Sequence, residues 1–286
     1  MADSLSNIIP TIIAAFEAVT RGIVGFAGGV PINGDLSERA ALGQTIEWPE
    51  PNVGVSADAV PGCTGPCGDP LTASKKLVTI DRQKHIPIAV TGDQYKGLQG
   101  NIYPFLKRSF MKAFRRLVTD IDLYLAIKAI ENASRAWGTA GTAPFGTLND
   151  MTDFAGLKQI FRENGHDPAM LDLRLVLNSA AMFNIEGKMA NIWKANEFGS
   201  DELSRWGFIT EIEGFRMGSM PNIPQHVKGT GAGYVTSGAT AVDVEDIALV
   251  TGSGTVLPGD IVTFAADPNQ KYVVNKGITA PDTITI

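Results

Sequence analysis

Residues 101–137 read NIYPFLKRSFMKAFRRLVTDIDLYLAIKAIENASRAW, and this stretch decides the fold. It contains no glycine, and its only proline is Pro104, near its start. Its apolar residues recur at intervals of three and four, which predicts an amphipathic helix. A helix of this length would span roughly 55 Å, and Gly138 supplies a stop. The face that we expect to be buried consists of Leu106, Phe110, Phe114, Leu117 and Ile121.

The first half of the same stretch carries a basic row. The row comprises Lys107, Arg108, Lys112, Arg115 and Arg116. Five cationic side chains exclude a membrane span, and the absence of a flanking heptad repeat excludes a coiled coil. The row predicts contact with acidic groups within or between subunits, or else an ordinary solvated face. One long helix in an otherwise β-rich chain indicates an architectural role.

The composition sets limits on size and partners. The chain has 286 residues, 44% of them hydrophobic, which is enough for a sizeable core in two domains or in one domain with arms. A net charge of −6 gives the whole chain no attraction to nucleic acid or anionic membranes. The N-terminus lacks the basic start of a signal peptide. With only two cysteines, Cys63 and Cys67, we expect a reducing, cytoplasmic compartment.

Changes of composition along the chain predict its organisation as an α+β protein. We expect an N-terminal arm with an amphipathic helix, a long hairpin, the spine helix with a peripheral region, an α+β region, a small all-β domain and a return strand. These correspond to residues 1–42, 43–92, 93–151, 152–227, 228–277 and 278–286. The hairpin cannot bury a core of its own, and we expect Trp48 to be buried at its base or against another subunit. The final residues alternate like an interrupted strand, which favours a truncated chain.

A search for chemistry finds no catalytic constellation. The three histidines, His85, His166 and His226, are far apart in sequence and lack metal-site spacing. Cys63 and Cys67 lack the second pair that a zinc site needs, so free thiols are expected and a local disulfide is the alternative. We therefore expect no enzyme activity, no cofactor and no metal. The glycines at 229, 231 and 233 are interpreted as a flexible hinge rather than a phosphate-binding loop, since no helix follows them.

Five segments resemble parts of one protein family. They are IEWPEP (46–51), KKLVTIDRQKHIPIAVTGDQ (75–94), LRLVLNSAAMF (173–183), WGFITEIEGFRMGSMPNIP (206–224) and IALVTGSGTVLPGDIVTFAADPNQKYVV (247–274). In their order they resemble the major capsid protein of tailed double-stranded DNA bacteriophages, which has the HK97-like fold. The segments look like the family's extended hairpin, its axial domain and, last, the inserted β domain of the P-twenty-two-type podophage coat protein.

The resemblance implies a structural protein of the virion that self-assembles into an icosahedral shell in the host cytoplasm. Its partners would be copies of itself in hexamers and pentamers, a scaffolding protein, a portal and packaged DNA bound without sequence specificity, with no membrane. The basic row of the spine would then face DNA or an acidic neighbouring arm. Lys75, Lys76 and Lys84 lie in the hairpin, where some capsid proteins of this fold form a Lys–Asn cross-link, although exposed strand lysines are common.

Three other functions remain open at the level of sequence. The first is an encapsulin-like cellular nanocompartment shell, which would hold an enzyme cargo instead of DNA. The second is a β-rich phage fibre or adhesin binding module, against which the long helix argues. The third is an enzyme of a type without a recognisable motif.

Overall fold

A computed structural model describes residues 9–17, 25–30, 41–51, 73–89, 91–97, 102–189, 211–221, 223–240 and 244–286. The chain divides into two compact units. The first consists of Met1–Val30 with Val90–Ile286, and the second, the hairpin unit, of Pro31–Ala89. The mixture of helices with several small sheets agrees with the predicted α+β class.

The hairpin unit contains an antiparallel ribbon. Strand β1 (Thr45–Pro51) pairs with β2 (Ala73–Thr79), in register from Thr45 opposite Thr79 to Pro51 opposite Ala73. The sequence predicts a second strand over residues 77–90, but β2 ends at Thr79. Its partner β1 begins at Thr45, and the described pairing ends with Ile80, whose amide donates to the Gln44 carbonyl at 3.0 Å.

The first unit is built along the predicted helix. Short helix α1 (Ile9–Glu17) packs against the spine helix, α3 (Ile102–Glu131), and α2 (Gly92–Gly97) precedes it. The spine has 30 residues, about 45 Å at the usual rise, and ends six residues before the predicted end at Trp137. The Asn132 side chain donates to the Lys128 carbonyl at 2.8 Å and caps the helix there. No helix in the described part of the chain is long and apolar enough to cross a membrane.

The body of the first unit combines helices and a small sheet. Helix α4 (Thr152–Glu163) is followed by β3 (Leu173–Leu177) and α5 (Ser179–Lys188). Strand β5 (Phe215–Ser219) lies between β3, to which it is parallel, and β4 (Glu211–Ile212). The apolar sides of these elements share one core. Its buried residues are Phe145, Phe154, Leu173, Leu177, Ala181, Ile185, Met189, Ile212 and Phe215.

The C-terminal residues form a β module with a second core. One sheet has the order β10 (Thr283–Thr285), β7 (Asp246–Val250), β6 (Val235–Thr236), and a second pairs β8 (Ile261–Phe264) with β9 (Asp267–Val273). The buried residues of this core are Ile247, Leu249, Val256, Val274, Ile278 and Ile284.

Two predictions about this module were wrong. Residues 278–286 are not a return strand to the body, because β10 pairs antiparallel with β7 and Ile284 is buried in the module core. The glycine segment is not a flexible hinge either. The Gly231 amide donates to the Thr255 carbonyl at 2.7 Å, and the backbone at Ala232 pairs with Ser253. A side chain at Gly229 would collide with Thr255, so glycine there permits a close approach of two backbones.

Candidate functional site

The hairpin unit presents two mixed faces. Trp48 lies opposite Lys76 and two pairs away from Ile46 and Val78, which places these four on one face of the ribbon. Val78 is exposed, and so is Leu77 on the other face. The predicted burial of the Trp48 side chain lies outside the described residues, as do Cys63 and Cys67. A two-stranded ribbon with apolar side chains exposed on both faces has no core of its own.

The buried face of the spine differs in part from the predicted one. Leu106 is buried, and Phe110, Phe114 and Leu117 are partly buried. Ile121, predicted on the same stripe, is 48% exposed within the subunit. The contact line of the helix instead continues through two other residues, Asp122 and Ala126, which are both buried. Helical periodicity assigns acidic residues to the exposed face of a helix. The prediction therefore placed the apolar Ile121, and not Asp122, on the buried face.

The basic row is directed mostly to solvent. Arg108, Lys112, Arg115 and Arg116 are exposed, and Lys107 is partly exposed. Arg116 Nε contacts Asp120 Oδ1 at 3.1 Å, one helical turn away. Within the described part of the chain the other four make no ion pair. An exposed pair of this kind contributes little to stability, so the row as a whole is open to a partner.

The β module is joined to the end of the spine by a backbone ladder. The Ala136 amide donates to the Lys271 carbonyl at 3.0 Å, and the Val273 amide donates to the Ser134 carbonyl at 3.3 Å. Residues 134–136 therefore pair with β9 at one bridge, with Arg135 opposite Tyr272. The predicted helix covered these residues because helical periodicity is a local signal, whereas this pairing joins positions more than a hundred residues apart.

A polar cluster closes the same junction. Arg135 Nη1 donates to Glu163 Oε2 and to Gln270 Oε1, each at 2.8 Å, and Gln270 Nε2 donates to Glu163 Oε2 at 2.8 Å. Hydrogen bonds from Gln270 and from Gln159 hold the pKa of Glu163 below its usual value, with a smaller contribution from Arg135. Burial and the nearby Asp267 carboxylate raise the pKa of Tyr272. The spine, α4 and the module are thus linked by charged and neutral hydrogen bonds.

Trp137 fills the space between helix and module. Its indole lies over Gly156 in α4, where a Cβ would overlap the ring. The Lys271 ammonium lies 6.0 Å from the ring centroid, a cation–π arrangement. Asp153 in the first turn of α4 accepts from Trp137 Nε1 at 3.3 Å and from the Phe145 amide at 2.7 Å. The sequence predicted Trp137 only as the last residue of a helix, because no local pattern indicates that Gly156 is its partner.

The histidines do not form a metal site within the described residues, where no group of three or more metal-ligating side chains occurs. His85 and His166 are exposed. His226 Nε2 lies 2.7 Å from Asp260 Oδ1, and the same carboxylate accepts from the amides of Gly229 and Leu257. Asp260 therefore ties the segment that enters the module to a turn of the module. Sequence spacing missed this pair because its members are 34 residues apart.

A groove of about 820 Å³ runs between the body and the β8–β9 sheet. Its apolar lining includes Trp137, Leu175 and Ile261. Its charged groups serve the fold: Asp153 accepts from the Phe145 amide, and Lys271 Nζ donates to the Gly138 carbonyl. The polar groups at the groove and the junction connect elements of the chain to one another.

Comparison with known proteins gives weak similarity, and only to solved structures. No protein-family model matches the chain, and no curated protein matches it. Among solved structures, a chain from Mycobacterium phage Che8 aligns with 68% of this chain and 67% of its own length, at 17% identity and a TM-score of 0.48.

Proposed function

We propose that this chain is a shell-forming structural protein, the major capsid protein of a tailed bacteriophage, with an HK97-like fold and a podophage-type β domain. The observation that carries the proposal is the hairpin ribbon, which exposes apolar side chains on both faces and whose described residues belong to neither core. Such a ribbon is stabilised when a neighbouring surface covers it. In a shell, that surface belongs to another copy of the chain.

The rest of the chain supplies what a shell subunit needs. The body and the module have separate cores, and the backbone ladder at residues 134–136 joins the module to the end of the spine. Contacts that are not self-complementary propagate from copy to copy and close into rings and shells when the angle permits. A body with its own cores and an arm with exposed apolar side chains suit such propagation.

The basic row suits the inner surface of a DNA-filled shell. Arg108, Lys112 and Arg115 are exposed cations that can neutralise phosphates without reading sequence. The alternative partner is an acidic arm of a neighbouring copy. Charge reversal of Arg115 and Arg116 separates the two: it impairs DNA retention alone if the row faces DNA, and assembly itself if the row binds a neighbour. Salt-insensitive assembly that also tolerates the reversal would indicate a merely solvated face.

In this proposal the protein resides in the virion, after assembly in the host cytoplasm with a scaffolding protein and a portal. Electron microscopy and light scattering of the purified full chain test assembly directly. We expect the purified chain to form closed shells, either by itself or when a scaffolding protein is added. A chain that stays monomeric under both conditions would refute the proposal. Shells that enclose a protein cargo and no DNA would instead identify a nanocompartment.

A matched pair of variants tests the role of the hairpin. Leu77→Asp changes a side chain of the hairpin ribbon that is 61% exposed, and Leu148→Asp changes one of the body that is 68% exposed. Neither should lower the thermal stability of the isolated subunit by more than about 0.5 kcal/mol, because both are surface positions. We expect Leu77→Asp to reduce shell yield strongly and Leu148→Asp to retain it. Equal yields would show that the hairpin is not an intersubunit contact.

A further inference from the structure

The short turn Gly25–Gly29 is fastened to the first unit by two charged side chains. Asp122 on the spine accepts from the Ala27 amide through Oδ1 at 3.0 Å. Arg174 on β3 donates to the Gly28 carbonyl. We call this arrangement the turn clamp. It ties one point of the N-terminal segment to two elements that are far apart in sequence.

The fit at the clamp is close. A Cβ at Gly25 would lie 2.6 Å from Asp122 Oδ2, so the carboxylate occupies the place where any side chain would begin. The turn is closed by its own bonds, from the Gly28 amide to Gly25 at 3.3 Å and from the Gly29 amide to Phe26 at 2.9 Å. Asp122 is also buried. Removing its oxygen would leave the partly buried Ala27 amide without its acceptor, and an amide without a partner at such a site is destabilising.

The turn clamp lies next to the boundary between the first unit and the hairpin unit. The turn is followed by Val30, the last residue of the first unit before the hairpin unit Pro31–Ala89 begins. The clamp therefore fixes the point at which the chain leaves the first unit. Helix α1 also packs on the spine, but it lies further from this exit.

We infer that Asp122 and Arg174 are positioning residues for the hairpin unit, and that association between copies depends on the clamp. The inference rests on the proposed function, because that function assigns an intersubunit contact to the hairpin. Neither residue needs to touch a neighbouring copy. Their effect on assembly is exerted through the turn, whose anchoring restricts where the arm starts.

The test uses the full chain with three variants and one control. Asp122→Ala removes the acceptor, Asp122→Asn keeps an oxygen for the Ala27 amide, and Gly25→Ala introduces the colliding Cβ. Asp120→Ala is the control, since Asp120 lies on the same helix and pairs with Arg116 at the surface. Hydrogen–deuterium exchange of residues 25–30 in unassembled protein reports the clamp, and light scattering reports the assembly rate.

We expect Asp122→Ala and Gly25→Ala to speed exchange at residues 25–30 and to slow assembly, each by about tenfold or more. Asp122→Asn should stay within about threefold of wild type in both measurements, and Asp120→Ala should match wild type. Should Asp122→Ala fail to fold, Arg174→Ala replaces it, because Arg174 is exposed and lies outside both cores.

Three results would overturn the inference. They are exchange that stays slow in Asp122→Ala, fast exchange with an unchanged assembly rate, and an Asn variant as impaired as the Ala variant. A wild-type protein that forms no particles refutes the proposed function instead. The exchange measurement then still decides whether the clamp holds the turn, because it does not involve particles.

Discussion

Replacing Gly156 by alanine should destabilise this protein, although alanine favours a helix over glycine by about 1 kcal/mol. The added Cβ would overlap Trp137 Cε2, so the indole would have to shift. Overpacking of this kind costs about 1–3 kcal/mol, and displacing the ring also lengthens its 3.3 Å hydrogen bond to Asp153. The expected net loss in the free energy of unfolding is up to about 2 kcal/mol.

The background Trp137→Ala reverses the sign of this effect. With the indole gone, Gly156→Ala meets no collision and should stabilise α4 by up to about 1 kcal/mol. Urea unfolding followed by far-UV circular dichroism measures all four corners of the double-mutant cycle. Gly187→Ala in α5 is the matched control, because the nearest atom to its Cβ would be Phe183 Cζ at 3.9 Å. If Gly156→Ala stabilises the wild-type protein as the control does, the indole does not lie over α4.

Three further predictions concern acid stability and the two cores. The pKa of Glu163 is depressed in the folded state, so Glu163 stabilises the protein above its unfolded pKa, and this contribution is lost as pH falls through the folded value. Glu163→Gln should therefore make the melting temperature fall less steeply as the pH is lowered. An unchanged acid dependence would contradict the role of the Gln270 hydrogen bond. Ile284→Ala should cost about 2–5 kcal/mol in calorimetry because the side chain is 2% exposed, and a neutral effect would remove β10 from the module. Phe154→Ala, 1% exposed, should cost about 3–5 kcal/mol, and Phe114→Ala, only partly buried, clearly less in the unassembled subunit; equal costs in denaturant titrations would show that the spine face is fully covered.

At the candidate site, contacts between residues that are distant in the chain could not be predicted from the sequence. The basic row was found because like charges cluster within ten residues. The junction of Arg135, Glu163 and Gln270 was not, because its members come from three elements. Single polar residues carry no sign of the partner that folding brings to them. The same holds for Asp122, whose burial follows from the turn that packs on it.

The sequence by itself determined the spine helix, the hairpin ribbon and the change from an α+β body to a β-rich end. These features are encoded locally, in the 3.6-residue period of apolar side chains and in glycine- and proline-rich turns. Tertiary structure decided that the helix stops at Glu131, that residues 134–136 pair with β9 and that β10 closes the module. The physical reason is that a strand takes its hydrogen-bond partners from anywhere in the chain. Where it ends therefore depends on which edge the fold brings beside it.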